Sequence, residues 1–367
     1  MPSTYHDRKH GRTHERGSVL LRYQLRFPAE PERIRGLMVL VPGLDQHSGR
    51  YRYFVERFRD EFIIASCDTR FMGRSNPELA GLQPGDIPPA DAHHGLRNIR
   101  KFFYVIYDLD EFVMEVLPRE IEERGIEFET LPLILVGHSL GGLAVMDYVL
   151  GNDHNVPPRN LAGVILSSPA LRPPRGVPSF FQRVIINYNY HVNASFGSNT
   201  EQRTLALVTY EQLRDIVMTP IFYLTSLTRT PVDAEWATQW VTDDPWEQIG
   251  FQTDPLTIRR NPLNFIYQVQ EHMIEIRDLE RSITYPYLLF YSPSDHIVNP
   301  IGAEEFASRT LNNNPHNRVV PAADTYSHEL FRARPAVRNR LLGVAEEWVD
   351  ELLTAWNNEP WPGVPAR

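Results

Sequence analysis

"LPLILVGHSLGG", residues 131–142, sets an apolar run directly against a histidine, a serine and three glycines. Leu133 to Val136 have the length and continuous apolarity of a strand buried on both faces of a sheet. "LAVMDYVL" (143–150) then carries Leu143, Val145, Met146, Val149 and Leu150 at roughly helical spacing. A strand that must become a helix within about two residues forces the residue at the apex into a sparsely populated backbone conformation. Small residues on either side of the apex let the strand end and the helix start approach each other. Gly137-His138-Ser139-Leu140-Gly141 has the G-x-S-x-G form in that strand–turn–helix context, which lifts a serine hydroxyl above the sheet edge at the head of a helix. In an ordinary α/β protein the same serine would serve as a helix N-cap. The flanks favour a nucleophile, and Ser139 is the candidate.

A serine hydroxyl is a weak nucleophile until a base takes its proton and a third group orients that base. After an elbow of this kind the chain order is serine, acid, histidine. "YLLFYSPSDHIVNP" (287–300) supplies Asp295 a few residues beyond an apolar strand, and "DTYSHELF" (324–331) supplies His328 in a loop after the short apolar "RVV" (318–320). The plain alternatives are a turn aspartate capping the helix that begins near "NPIGAEEF" and a solvent-facing histidine. With 13 histidines in the chain, position alone decides little. The order after a true elbow raises Asp295 and His328 above those alternatives. His138 points along the elbow and is ill placed to be a base for its neighbour, and His296 beside Asp295 is a weaker substitute. The charge developing on the substrate oxygen needs two amide donors. One is the residue after the nucleophile, Leu140, and the other follows Pro42-Gly43 in "VPGLDQHSGRY" (41–51), which is Leu44. Neither "HEL" at 328–330 nor His93-His94 has metal-ligand spacing, so no metal and no cofactor is expected.

Working outward, "GLMVLV" (36–41), "FIIASCD" (62–68), "LAGVILSSPAL" (161–171) and "YPYLLFYS" (285–292) are further strand runs. "SVLLRYQLRF" (18–27) alternates like an edge strand in a hairpin with the strand run after it. Helical patterns fall at 48–60, 104–125 and 336–356, and 77–95 is a Pro/Gly-rich surface loop. Continuously apolar strands alternating with helices predict an α/β fold, a mostly parallel sheet covered on both faces. Between Leu171 and Tyr285 the rhythm stops, and that interval is too long for a loop. The expected organisation is an unstructured tail at 1–16, a core in two parts at 17–170 and 285–367, and a helical cap inserted at 171–284.

The chain has 367 residues, 42% hydrophobic and 23% charged, which suits a globular protein with a full core. A net charge of −9 supplies no basic field for nucleic acid. Cys67 is the sole cysteine, so no internal disulfide forms. No apolar stretch approaches the roughly 18 residues of a membrane span, and the N-terminus lacks the apolar core of a signal peptide. The expected compartment is the cytoplasm, with a small-molecule substrate as the partner and, at most, peripheral membrane contact through the cap.

Several segments, taken in order, resemble the monoacylglycerol lipase and lysophospholipase branch of the α/β-hydrolases. "PGLDQHSGRY" (42–51) resembles that family's HGxGEHSGRY loop, and "DTRFMGRS" (68–75) its DxRGHGxS segment. "GHSLGG" resembles its GHSMGG elbow, "LSSPAL" (166–171) the exit of its sixth strand, "DPL" (254–256) the end of its cap, and "SPSDHIVNP" and "SHEL" its acid and histidine loops. The likeness spans about residues 17–356. It implies an α/β-hydrolase fold and a serine esterase with Ser139 as nucleophile, Asp295 as acid, His328 as base, and Leu44 and Leu140 as oxyanion amides. Pro42 stands where the family has histidine, and Phe71 and Met72 replace the small and polar residues of the DxRGHGxS segment. The expected substrate is a single-chain acyl ester, with Phe71, Met72, Phe180, Phe181, Trp236 and Trp240 as candidate pocket walls. Each of these also suits plain packing, Trp236 and Trp240 as an i, i+4 helix face. The same triad serves aminopeptidases, thioesterases and C–C hydrolases, and a non-catalytic scaffold is the reading from a different class.

Overall fold

The structure is a computed structural model that describes residues 4–7, 12–15, 19–89, 102–151, 156–172, 231–233, 235–258, 260–277, 279–356 and Trp361, with Ala92, Leu96 and Ile99 between them. Strands β1 (Thr4–Asp7) and β2 (Arg12–Glu15) pair antiparallel within the tail that composition alone leaves unstructured. Then come β3 (Tyr23–Arg26), β4 (Gly36–Val41), α1 (Arg52–Phe58) and β5 (Phe62–Cys67). Beyond the Pro/Gly-rich loop lie α2 (Phe103–Glu111), α3 (Leu117–Glu122), β6 (Leu133–His138), α4 (Leu140–Leu150) and β7 (Leu161–Ser167). The interval expected as an insertion holds β8 (Pro231–Asp233), α5 (Pro245–Thr253), β9 (Arg260–Pro262) and α6 (Leu263–Glu275). The chain closes with β10 (Tyr287–Tyr291), α7 (Pro300–Thr310), β11 (Arg318–Pro321) and α8 (Pro335–Ala355).

Seven strands form the central sheet in the order β11-β10-β7-β6-β4-β5-β3. All neighbours are parallel except β3, which runs antiparallel to β5 with Leu25 opposite Ala65. This corrects the hairpin expected for 18–27: the edge strand skips β4 and pairs with β5. The reason is that β4 is buried on both faces and takes parallel partners on both edges, so the nearest edge open to β3 is the outer edge of β5. Continuous apolarity is explained by alternation between two cores. Leu37, Val39, Leu133, Leu135, Tyr287 and Leu289 pack on one face with α2, α4 and α7. Met38, Leu40, Ile134, Val136, Leu288 and Phe290 pack on the other with α1 and α8.

The helical run expected at 104–125 is one helix with a defect. A π-helical turn at Phe112–Val116 separates α2 from α3. Pro118 lacks an amide hydrogen and its ring crowds the carbonyl four residues back, which a wider turn relieves. Among the described residues of the interval 171–284, none joins the central sheet, and β8 and β9 pair only with each other. Phe180 and Phe181 lie outside the described residues. No described helix is long and apolar enough to cross a membrane.

Helix α6 is fastened to α4 by a buried histidine. His272 Nε2 lies 3.1 Å from Asp147 Oδ2, and Nδ1 lies 3.1 Å from Glu275 Oε2. Burial pulls the imidazole pKa down, but the two carboxylates outweigh it and hold it up at about 9. A folded-state pKa raised above the unfolded value means the stabilisation is complete below about pH 6.5 and is lost as pH rises through about 9. The melting temperature is therefore expected to fall by a few degrees more between pH 6.5 and 9.5 in the natural chain than in a His272→Gln variant. Parallel curves for the two in a calorimetric pH series contradict this.

Candidate active site

Ser139 sits at the apex between β6 and α4 with φ 52° and ψ −117°, a conformation non-glycine residues avoid. Its amide donates to Ser167 O at 3.0 Å, and its carbonyl accepts from Leu143 and Ala170, so the backbone around it is held from three sides. A Cβ at Gly137 would lie 2.6 Å from the Gly141 carbonyl oxygen, and one at Gly141 only 2.0 Å from the Val41 carbonyl oxygen. The glycines are thus required by close backbone approach, and they press the head of α4 against the end of β4, where the loop carrying Leu44 begins. Leu140 is the first residue of α4, so its amide has no acceptor within the helix.

Asp295 and His328 come together from the ends of β10 and β11. His328 Nδ1 lies 2.7 Å from Asp295 Oδ2, with both side chains buried. Asp295 Oδ1 accepts from the amides of Ile297 and Val298, so the turn role and the acid role belong to one residue. Helix α7 is capped instead by Asn299, which accepts from Ile301 N. With Nδ1–H donated to Asp295, the second nitrogen of His328 is left to exchange a proton. The His328 ring is 4.8 Å, centroid to centroid, from that of His138, the residue before Ser139. His138 donates Nδ1–H to Ser167 O at 3.0 Å. Burial, then the neighbouring His328, hold its pKa well below the usual histidine value, so it stays neutral.

The loop carrying Leu44 is braced by a network that sequence reasoning missed. Gln46 Oε1 accepts from Gly43 N at 3.2 Å and from Tyr51 Oη at 2.8 Å, while Gln46 Nε2 donates to Glu329 at 2.7 Å. Arg50 grips both oxygens of Glu329, at 3.1 and 2.7 Å, and both side chains are buried. The residue after His328 therefore bolts the histidine loop to the loop of Leu44. Where the family pattern has glutamate, Gln46 can donate to Glu329, which a second carboxylate could not. A separation of 279 residues leaves no local signal for this pairing. His47 Nε2 lies 2.8 Å from Asp254 Oδ2. Although burial lifts the Asp254 pKa, the His47 contact, the Leu256 amide and Arg50 hold it below the usual carboxylate value.

The histidine loop also leans on residues 240–243. Trp240 O accepts from His328 N at 3.2 Å, Val241 O accepts from Glu329 N at 2.8 Å, and Asp243 accepts from Ser327 and Thr325 hydroxyls. The Trp240 ring stacks on His296 at 3.9 Å between centroids. Of the other candidate walls, Phe71 is half-buried at φ 60°, and Met72 is wholly buried in the main core. Trp236 lies on a short helical turn that begins at Glu235. Among the described residues no group of three or more metal-ligating side chains is gathered in one place.

A parallel sheet with a serine at a strained strand–helix turn, ahead of a histidine–aspartate pair at the ends of later strands, defines an α/β-hydrolase. Residues 32–333 match the family model described as serine aminopeptidase, S33, and the chain belongs to that family. A monoacylglycerol lipase of Mycolicibacterium smegmatis is 29% identical to it over 144 residues, 39% of this chain and 41% of that protein. The chain thus spans about two fifths of the length of the curated relative it matches. A soluble variant of monoglyceride lipase from Saccharomyces cerevisiae, solved with a substrate analog, superposes with a TM-score of 0.62 at 15% identity, covering 90% of this chain and 91% of that one. The monoacylglycerol lipase of Paleococcus ferrophilus gives 0.56 at 20% identity, covering 92% and 99%. At these identities the likeness speaks to the fold, which agrees with the α/β-hydrolase expectation.

Proposed function

We propose that the chain is a carboxylic ester hydrolase acting on single-chain acyl esters of the monoacylglycerol or lysophospholipid type, in the cytoplasm, through Ser139, His328 and Asp295. The observation that carries this is the 2.7 Å Asp295–His328 contact beside the strained Ser139 turn. In this reading Ser139 Oγ attacks the ester carbonyl while the free nitrogen of His328 takes its proton. Asp295 holds the imidazole orientation and stabilises its charged form. The Leu44 and Leu140 amides receive the developing oxyanion. His328 returns the proton to the departing alcohol, and then activates the water that releases the acid and restores Ser139.

Residues 171–284 act in this proposal as a cap over the serine, with Phe71, Phe180, Phe181, Trp236 and Trp240 offering an apolar lining for one acyl chain. A net charge of −9 disfavours anionic phospholipid surfaces. The expected result is faster hydrolysis of soluble monoacyl glyceryl and p-nitrophenyl esters than of emulsified triolein, with a preferred chain length. Fast triolein turnover with little activity on monoesters overturns the substrate assignment. The family description favours one second reading, an aminopeptidase with the same triad. A panel of acyl esters, aminoacyl amides and acyl thioesters separates the two, and failure of a fluorophosphonate to label the chain at neutral pH would leave a scaffold.

A further inference from the structure

Asp45, one residue beyond Leu44, is out of keeping with its position. Its φ is 62°, where the family pattern has glycine, and its side chain is buried. Asn261 Nδ2, on β9, donates to Asp45 Oδ2 at 2.8 Å. The other carboxyl oxygen, Oδ1, is buried without a hydrogen-bond partner, and so is the amide oxygen of Asn261. A carboxylate beside an amide leaves two acceptors and no donor between them. One proton on Asp45 cures both defects, because an acid and a primary amide can exchange two hydrogen bonds in a ring.

We propose that Asp45 is held as a neutral carboxylic acid, doubly hydrogen-bonded to Asn261, and that this pair positions the oxyanion loop against β9 until Asp45 ionises. The proposal rests on the ester-hydrolase reading above, since it gives Leu44 its role. Asp45 is a positioning residue here, acting through the backbone of Leu44. Burial pushes its carboxyl up to about 7, and the Asn261 bond only partly offsets this.

Among the described residues, the charged groups on the neighbouring elements are engaged elsewhere or exposed. On its own loop, His47 faces Asp254 and Arg50 faces Glu329. On the segment leading into and through β9, Asp254 is taken by His47, and Arg260 is exposed. On the elbow, His138 is neutral. From the loop after β5, Asp68 accepts from the Ser48 and Arg74 amides. No cation among these offers Asp45 a salt bridge, so ionisation would leave a buried charge with one hydrogen bond and drive the loop away from β9.

The test is the pH dependence of kcat and KM on a soluble monoester for the natural chain, Asp45→Asn and Asn261→Leu, alongside fluorophosphonate labelling and an infrared pH titration. In the natural chain kcat is expected to fall about tenfold or more from pH 7 to pH 9 with little change in KM. A protonated-carboxyl band should fade over the same range. Asp45→Asn keeps an amide-to-amide ring, tolerates positive φ and cannot ionise, so both the alkaline fall and the band should vanish. Asn261→Leu should lower kcat about tenfold already at pH 6.5. Asp45→Gly, which also suits the backbone, replaces Asp45→Asn if that variant does not fold. An alkaline fall or an infrared band that persists unchanged in the Asp45 variants overturns the proposal while labelling leaves the nucleophile in place. Absence of labelling in the natural chain overturns the ester-hydrolase reading itself.

Discussion

Ser139→Ala is expected to abolish turnover of a p-nitrophenyl ester, with kcat falling on the order of 10⁶-fold, while the melting temperature stays within a few degrees of the natural chain. The size reflects the group removed. The hydroxyl is the only atom of the side chain that bonds to substrate in the proposed reaction. Retention of the fold follows from the bonds around the apex, which are all made by the Ser139 backbone: its amide to Ser167 O and its carbonyl from Leu143 and Ala170. Alanine keeps these and loses one oxygen from a side chain that is already mostly buried. The strained φ of 52° persists, so the substitution neither relieves nor adds backbone strain to any large degree. The measurement is burst and steady-state kinetics beside calorimetry. Unchanged turnover in a folded variant would place the nucleophile elsewhere, and a collapse in melting temperature would show the hydroxyl to be structural, as an N-cap reading predicts.

Where sequence and structure agree, the signal is local. The elbow is legible because one pentapeptide and its two apolar flanks encode strand, strained apex and helix together. The Asp295–His328 contact follows from chain order, since both residues sit just beyond strands whose parallel neighbours bring their ends to one edge. The braces of the site are not legible. Gln46, Arg50 and Glu329 meet across about 280 residues, and each alone has the look of a solvated polar side chain. The β3 pairing departs from expectation for a related reason. A hairpin prediction uses only the short connection, whereas the sheet offers β3 the free edge of β5. Met72 shows the same limit on the apolar side, because composition cannot tell a pocket wall from a core residue, and its side chain is fully buried within the main cluster.

Gly141→Ala is expected to be the most damaging single-methyl change among the described glycines. An added Cβ would lie 2.0 Å from the Val41 carbonyl oxygen and 2.6 Å from that of Pro42. Both are backbone atoms at the end of β4, a strand buried along its whole length, so no side chain can swing aside. Relief requires the head of α4 to retreat from the loop of Leu44, which parts the two amides proposed to share the oxyanion. Overpacking against an immovable neighbour costs about 3 kcal/mol or more, and loss of one oxyanion donor lowers kcat about 10²–10³-fold. Both should appear together, as a lower denaturation midpoint and a kcat deficit with little change in KM. Gly343→Ala is the control. It adds the same methyl inside α8, where nothing lies within 4 Å of the new atom. Helix propensity alone then acts, and the variant is expected to gain about 0.5–1 kcal/mol with kinetics unchanged. If Gly141→Ala behaves like Gly343→Ala, close backbone approach is not what holds α4 against β4, and the elbow geometry would need another cause.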